Sequence, residues 1–391
     1  MQLIKKITAA MLAVITMASC QKNKEILLTD ENKTATEESS GLLSRDGNSS
    51  GYVYTSSNQT TGNKIIVYRR AGDGSLTYSA SFSTGGNGTG GGLGNQGAVV
   101  ISNDDDNEDD VLLAVNAGSN SIASFKITGS GLNLKSTISS GGMRPVSIAQ
   151  HGRLVYVLNA GGTGNISGFW LGENNKLTAL PNSTRPLSSD AAGAAQVSFV
   201  RGGRVLVITE KATNKIITYT VNESGRPAMM HSITAASPTP FGFAPGPFGN
   251  IYVSEAAGGA ANASSVSSYK IGYDGNITLT KGPVATGQSA ACWVVLTKNG
   301  RNIFTTNTGS NTISSYNVHP YSGNINILQS IAAATGMGPI DAALAEGSKY
   351  LYILNSGGKS ISAFTVTNNG ALSALQTVDG LPMGANGLAA D

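Results

Sequence analysis

From Gly51 onward the chain repeats one alternation of apolar and polar positions. An aliphatic residue, two spacers and then Phe or Tyr occur seven times: Ile65/Tyr68, Ile122/Phe125, Ile166/Phe169, Ile216/Tyr219, Val266/Tyr269, Ile313/Tyr316 and Ile361/Phe364. The first interval is 57 residues and the others run from 44 to 50. An apolar run precedes each pair, as in "LLAVN" and "VLVITE", and a Gly-containing turn with another short alternating segment follows, as in "DGSLTYSASFS" and "NGALSALQTV". This reads as four short strands per repeat, joined by hairpins. Residues three apart in a strand point to opposite faces, so the aliphatic and aromatic positions bury both faces of one sheet. A sandwich sheet usually leaves one face to water, and a β-solenoid uses shorter repeats in one continuous stack. The pattern predicts an all-β, seven-bladed β-propeller with four-stranded blades.

Six repeats open with a short inner strand, from "QGAVVIS" to "PIDAALA", and the chain finishes on a seventh, "GANGLAAD". The first repeat, "GYVYTSSN", has none before it. The C-terminal strand is therefore expected to complete the N-terminal blade, closing the ring and removing the exposed edges.

The segment before Gly51 has a different pattern. "MQLIKKITAAMLAVITMASC" combines Lys5 and Lys6 with an apolar run from Ile7 to Met17, well short of the about 20 residues that span a bilayer. It reads as a signal peptide, and Ala18-Ser19-Cys20 resembles the lipobox of bacterial lipoproteins, in which the cysteine is acylated and becomes the N-terminus. The organisation expected is a lipoprotein signal peptide over 1–19, lipidated Cys20 with a flexible polar tether over 20–50, and the propeller over 51–391. Gln21 after the cysteine, by resemblance to Gram-negative sorting, favours the outer membrane. The membrane is thus one expected partner, in the bacterial cell envelope.

Charge narrows the partners. Charged residues are 13% of the chain, about half the usual share. Without Lys5 and Lys6 the formal charge falls from +3 to +1, which leaves no footprint for nucleic acid. Cys20 and Cys292 are the only cysteines, so lipidation of Cys20 rules out an intrachain disulfide. Several motifs fail on context. Gly47-Asn48-Ser49-Ser50-Gly51 matches a nucleophile elbow without the strand and helix that it needs. Gly86-Asn87-Gly88-Thr89-Gly90-Gly91 leads into a strand, not a helix, and reads as a flexible loop rather than a pyrophosphate cradle. "NDDDNEDD", 103–110, has the oxygen density for Ca²⁺ but lacks the glycine and bidentate glutamate of an EF-hand loop. His151, His231 and His319 fall in separate repeats, without metal-ligand spacing.

The phrases "LLAVNAGSNSIASF", "RLVYVLNAGG", "GRVLVITEKATNKI" and "KYLYILNSGG" resemble the seven-bladed lactonase-type propellers, which include 6-phosphogluconolactonase and the 3-carboxymuconate cyclases. The likeness extends over Gly51 to Asp391. It implies lactone hydrolysis or formation in the central channel through Arg, His and Glu, with neither metal nor other cofactor. The Arg-His pair that opens an inner strand in that family falls at Ala195 and Gln196 here, and the family's glutamate falls at Glu210 or beside it.

The apolar run before the repeated pair ends on Asn116, Asn307 and Asn355 in three repeats, but on Glu210 and Glu255 in two adjacent ones. These two carboxylates are the candidate catalytic residues, as general base and acid. The inner strands begin with Gln96, Arg144, Gln196, Thr239, Cys292, Asp341 and Asn386. From these come the candidate substrate contacts. Arg144 suits a carboxylate or phosphate, Trp293 offers a stacking face, and Gln196 and Asp341 supply polar groups. Each also has a plain reading, as rim polarity, a channel ion pair or packing, and Cys292 reads as a small buried residue. Two functions stay open: a monomeric lactone-handling enzyme for a small carboxylated or phosphorylated sugar-like ligand, and a non-catalytic propeller that binds a glycan or a partner protein. Charge converging in the channel marks the first; an inert channel with an aromatic face marks the second.

Overall fold

The computed structural model of the chain describes residues 49–102, 110–129 and 131–391. The signal peptide, Cys20, the tether before Ser49 and the acidic stretch 103–109 lie outside the described residues.

Seven antiparallel sheets surround a central axis, six with four strands and one with five, and in every blade but the first the strands follow sequence order from the axis outward. Blade 1 takes its inner strand from the C-terminus. Asn386–Ala390 pairs with Ser49–Ser56, with Val53 opposite Ala390 and Thr55 opposite Leu388. The expected closure is therefore the observed one. Blade 3 departs from the pattern: its outer strand is split into Leu177–Ala179 and Arg185–Pro186, both paired with Asn165–Leu171. Pro181 lies in the interruption, where a residue without an N–H cannot extend a ladder. Blade 2 has a three-residue inner strand, Val99–Ile101.

The repeated pair works as its spacing implies. All seven aliphatic positions are fully buried, and the seven aromatics are at most 3% exposed. In blade 4, Ile216 packs with Val207, Phe243 and Val253 toward blade 5, whereas Tyr219 packs with Leu206, Leu187 and Tyr156 toward blade 3. Blade 5 repeats this: Val266 faces the blade 6 residues Val294 and Ile303, and Tyr269 faces blade 4. Burying each such side chain contributes about 1.5–3 kcal/mol, and each contact lies between neighbours in the ring. Polar bonds cross the same seams. Tyr156 Oη donates to the Gly225 carbonyl at 2.7 Å and Tyr352 Oη to that of Gly74 at 2.8 Å.

The two ends of the ring differ in their connections. At the upper end lie the hairpins between second and third strands and the linkers from blade to blade. At the lower end lie the hairpins between first and second, and between third and fourth, strands.

Candidate functional site

The inner strands form the channel wall. Their titratable residues are Arg144 and His151, at the two ends of one strand, with Cys292 and Asp341. A bulge against the second strand lies near the upper start of six of them, and left-handed residues stand near these starts, among them Arg144 (φ 52°), Thr239 (φ 63°) and Ala290 (φ 55°). Side chains beyond the bulge bind the next inner strand. Gln196 donates from Nε2 to the Phe243 carbonyl at 2.9 Å and accepts the Phe243 N–H on Oε1 at 2.6 Å. Ser147 Oγ accepts the Val197 N–H at 3.1 Å. Asp341 accepts the N–H of Ala342 at 2.8 Å and that of Leu388 at 3.0 Å, joining blade 7 to blade 1.

An insert crosses the upper mouth of this wall. Between blades 1 and 2 the chain runs over the ring before entering Val99–Ile101. Gln96, expected to open that strand, instead reaches across the axis to blade 6. Its Nε2 donates to the Val294 carbonyl at 2.8 Å and its Oε1 accepts the Val294 N–H at 3.1 Å, while its own N–H donates to Ala195 in blade 4 at 3.2 Å. Trp293 Nε1 donates to the Asn95 carbonyl at 2.6 Å, the Asn95 amide donates to the Val146 carbonyl, and Ile148 N donates to Gly97 at 2.8 Å. Lys211 Nζ donates to the Gly94 carbonyl and sits 4.6 Å from the centroid of Phe241, which packs 4.8 Å from Trp293. Gly242 leaves room for this plug, since a Cβ there would meet Gln96 Oε1. The preceding stretch 86–91, read as flexible, is also tied down: Gly88 and Gly90 donate to the carbonyls of Gln59 and Asn58, at 2.7 Å each.

The two glutamates do not face this channel together. Both are fully buried, and each is held by its own blade and the linker before it. Glu255 accepts from Ser265 Oγ (2.6 Å), Ser267 Oγ (2.8 Å), Tyr269 Oη (3.2 Å) and the N–H of Ser237 (3.1 Å). Glu210 accepts from the Ser188 N–H (2.8 Å), the Ser188 hydroxyl and Thr213 Oγ1 (2.5 Å). They share no partner. Two asparagines in the same slot use the third-strand positions that Glu255 uses: Asn307 Nδ2 donates to Thr312 and Ser314, and Asn355 Nδ2 to Ser360 and Ser362; Asn116 instead accepts from Asn63 and Thr84. The slot is a latch, with hydroxyls accepting from an amide or donating to a carboxylate. Burial pushes the Glu255 carboxyl above its usual range, opposed by its four donors. Burial pushes Asp341 further, to about 8.

The six candidate residues, expected near one end of the channel, take different places there. Gln196 and Trp293 are buried and bonded within the wall and plug, Asp341 joins two blades, and Glu210 and Glu255 latch separate ones. Arg144 is exposed on the upper rim, where its backbone N–H donates to Asn120 Oδ1 at 2.7 Å. The plug and the latch donors Ser188 and Ser237 were missed from sequence. Their trace was present in the linkers: glycines pack on the slot asparagines at Gly86/Asn116, Gly142/Asn159 and Gly336/Asn355, while the glutamate blades have serine.

With this geometry the chain matches known propellers. The family model described as lactonase, seven-bladed β-propeller, matches residues 262–391. No curated protein matches the sequence. A protein from Lactobacillus plantarum is 17% identical with a TM-score of 0.69, over 88% of this chain and 99% of its own. The periplasmic gluconolactonase of Pseudomonas aeruginosa is 16% identical with a TM-score of 0.67, over 86% of this chain and 99% of its own. A 6-phosphogluconolactonase candidate from Bacteroides uniformis is 17% identical with a TM-score of 0.65, over 86% and 98%. The lactonase-type likeness read from the sequence is supported, and at these identities the structures establish a common fold.

Proposed function

We propose that the chain is a lactonase-fold propeller of the bacterial cell envelope, anchored to the outer membrane through Cys20, which binds a ligand without turning it over. The observation that carries this reading is the plug. Gln96 bridges the inner strands of blades 6 and 4, Trp293 of blade 6 donates to Asn95 of the insert, and the carboxylates of Glu210 and Glu255 are already satisfied by fixed donors. A general base needs hydrogen-bond reach to a substrate proton, and both carboxylates are fully buried among their own donors.

Lactone chemistry is the second reading, and the family-model match over 262–391 favours it. In that case Glu210 or Glu255 moves the proton and Arg144 binds the substrate carboxylate or phosphate. One experiment separates the two: a hydrolysis screen of the purified chain over sugar and aromatic lactones. The binding reading expects rates at the buffer blank. Turnover that Glu210→Gln or Glu255→Gln abolishes would establish the enzyme and end the binding reading. Retention of an unacylated Cys20→Ser protein in the membrane fraction would remove the lipid anchor.

A further inference from the structure

The lower end of blades 4, 5 and 6 holds a cluster that the fold itself does not require. Three aromatics stand at hairpin tips with large exposure: Phe248 at 51%, Tyr273 at 63% and Tyr321 at 72%. Such residues scattered singly need no explanation, whereas a contiguous group does. These are contiguous. Phe248 stacks on Tyr321 across the blade 5–6 boundary at 5.1 Å and 24°. Phe248 also has φ 60° and ψ 20°, the left-handed region that a bulky residue seldom adopts and that collects at ligand-binding places.

Cations surround these rings. The Arg201 guanidinium lies 4.7 Å from the centroid of Tyr273 and that of Arg204 5.8 Å from it, and Lys270 Nζ is 5.9 Å from that of Phe248. Arg201 is anchored by Nε donating to the Ile271 carbonyl at 2.6 Å. It lies over Gly249, where a Cβ would meet its guanidinium. Its proximity adds to desolvation in lowering the Lys270 pKa. Arg201, Arg204 and Lys270 form no ion pair among the described residues. The carboxylate on the adjacent hairpin, Asp274, accepts instead from Asn276. A cleft of ≈ 650 Å³ opens between Arg201, Arg204, Phe248 and Tyr273, and a second of ≈ 340 Å³ lies beyond the stacked pair, against Arg301 and His319.

We infer that this lower-face cleft binds a carboxylated carbohydrate, with pyranose faces on the Phe248–Tyr321 ridge and a uronate carboxylate on Arg201 and Arg204. The inference names the ligand of the binding reading above and rests on it. A guanidinium fork matches a carboxylate bidentately, and an open ring face accepts the apolar side of a sugar. The cleft volume lies within the range of small-ligand sites. Three cations on a chain with little net charge do not make the continuous basic track of a nucleic-acid groove, and two of them already cover Tyr273, where a base would stack.

The test is binding of the full chain, in detergent, to oligogalacturonate, monomeric galacturonate, neutral dextran and a single-stranded oligonucleotide, by calorimetry. Oligogalacturonate should bind, more weakly at high salt, the double variant Arg201→Ala/Arg204→Ala should weaken it by about tenfold or more, and Arg204→Ala alone, which spares the Arg201–Ile271 bond, should weaken it with an unchanged melting temperature. Phe248→Gly, which fits the backbone without strain, should also weaken it. Binding to galacturonate as tight as to the oligomer would confine the ligand to one cleft and still support the site. Equal binding of dextran, tighter binding of the oligonucleotide, no binding of either uronate, or uronate affinity untouched by the double variant would each overturn the inference. Lactone turnover alone would sink the non-catalytic reading and leave the cleft to be judged by these affinities.

Discussion

Two sets of polar side chains at opposite ends of the ring are held in opposite ways. At the upper end the amides of Gln96 and Gln196, the indole of Trp293 and the carboxylates of Glu210, Glu255 and Asp341 are matched to fixed donors and acceptors of the chain itself. At the lower end Arg201, Arg204 and Lys270 rest on aromatic faces without a carboxylate partner among the described residues, and Phe248 holds a strained, exposed place. A buried polar group is costly unless paired, so the upper set reads as structure. Apart from the Arg201–Ile271 bond, the exposed cationic and aromatic cluster adds little to the core, so the lower set reads as recognition.

The harshest way to break the comparison removes what both ends share. Deleting Met383 to Asp391 takes away the inner strand of blade 1 and, with it, the Leu388 N–H that Asp341 accepts. The cooperative unfolding transition should be lost, together with uronate binding at the opposite end. A truncated chain that melts like the full one would refute closure. Trp293→Ala, the next largest, should separate the ends. It empties a fully buried site beneath the plug and should cost about 3–5 kcal/mol by urea unfolding, while lower-face affinity stays within a factor of two.

What was legible in the sequence divides along the same line. The ring could be read because Ile65/Tyr68 and its six counterparts encode a local period, and burial on both faces follows from strand geometry alone. Glu210 and Glu255 stood out for the right reason, a changed residue in a constant slot. Their role depended on Ser188 and Ser237 in linkers about twenty residues away, paired by topology rather than spacing. The plug was hidden in a glycine-rich insert, though Leu93, Asn95 and Gln96 are apolar and amide residues where a plain flexible loop has no use for them. The lower face was visible in "GPFGN", "GYDGN" and "HPYSGN", which place an aromatic at hairpin tips, but nothing in one sequence says that three hairpins of two blades meet.

A smaller effect tests the upper end by pH. Asp341 is fully buried, and burial carries its folded pKa to about 8 from an ordinary value of 3.8. The folded chain therefore holds a proton that the unfolded chain releases between these values. Stability from this group is full below about pH 4, falls as pH rises, and is lost above about pH 8. Glu255, also raised by burial, acts in the same direction. From pH 5 to pH 7 the loss from Asp341 approaches about 2–3 kcal/mol at about 1.4 kcal/mol per unit. Asp341→Asn keeps a neutral side chain of the same shape but accepts only one of the two N–H groups, so it should lower the urea midpoint and flatten its slope across this window. A slope unchanged in the variant would show that Asp341 is ionised when folded.

The smallest effect bears on the one upper residue that resembles the lower set. Arg144 is exposed, its guanidinium makes no hydrogen bond or ion pair among the described residues, and its φ of 52° is left-handed. A residue with a Cβ in that region costs about 1–2 kcal/mol, and glycine returns about 0.5–1 kcal/mol of that through its greater freedom when unfolded. Arg144→Gly should therefore stabilise the chain by roughly 0.5 kcal/mol, a change that a urea midpoint resolves. Its backbone N–H still reaches Asn120 Oδ1, so the linker keeps its course. Because Arg144 lies at the opposite end from Arg201 and Arg204, uronate affinity should not move. If the variant is instead less stable, its side chain supports the rim; if it loses uronate binding, the ligand sits at the upper end and the contrast between the two faces fails.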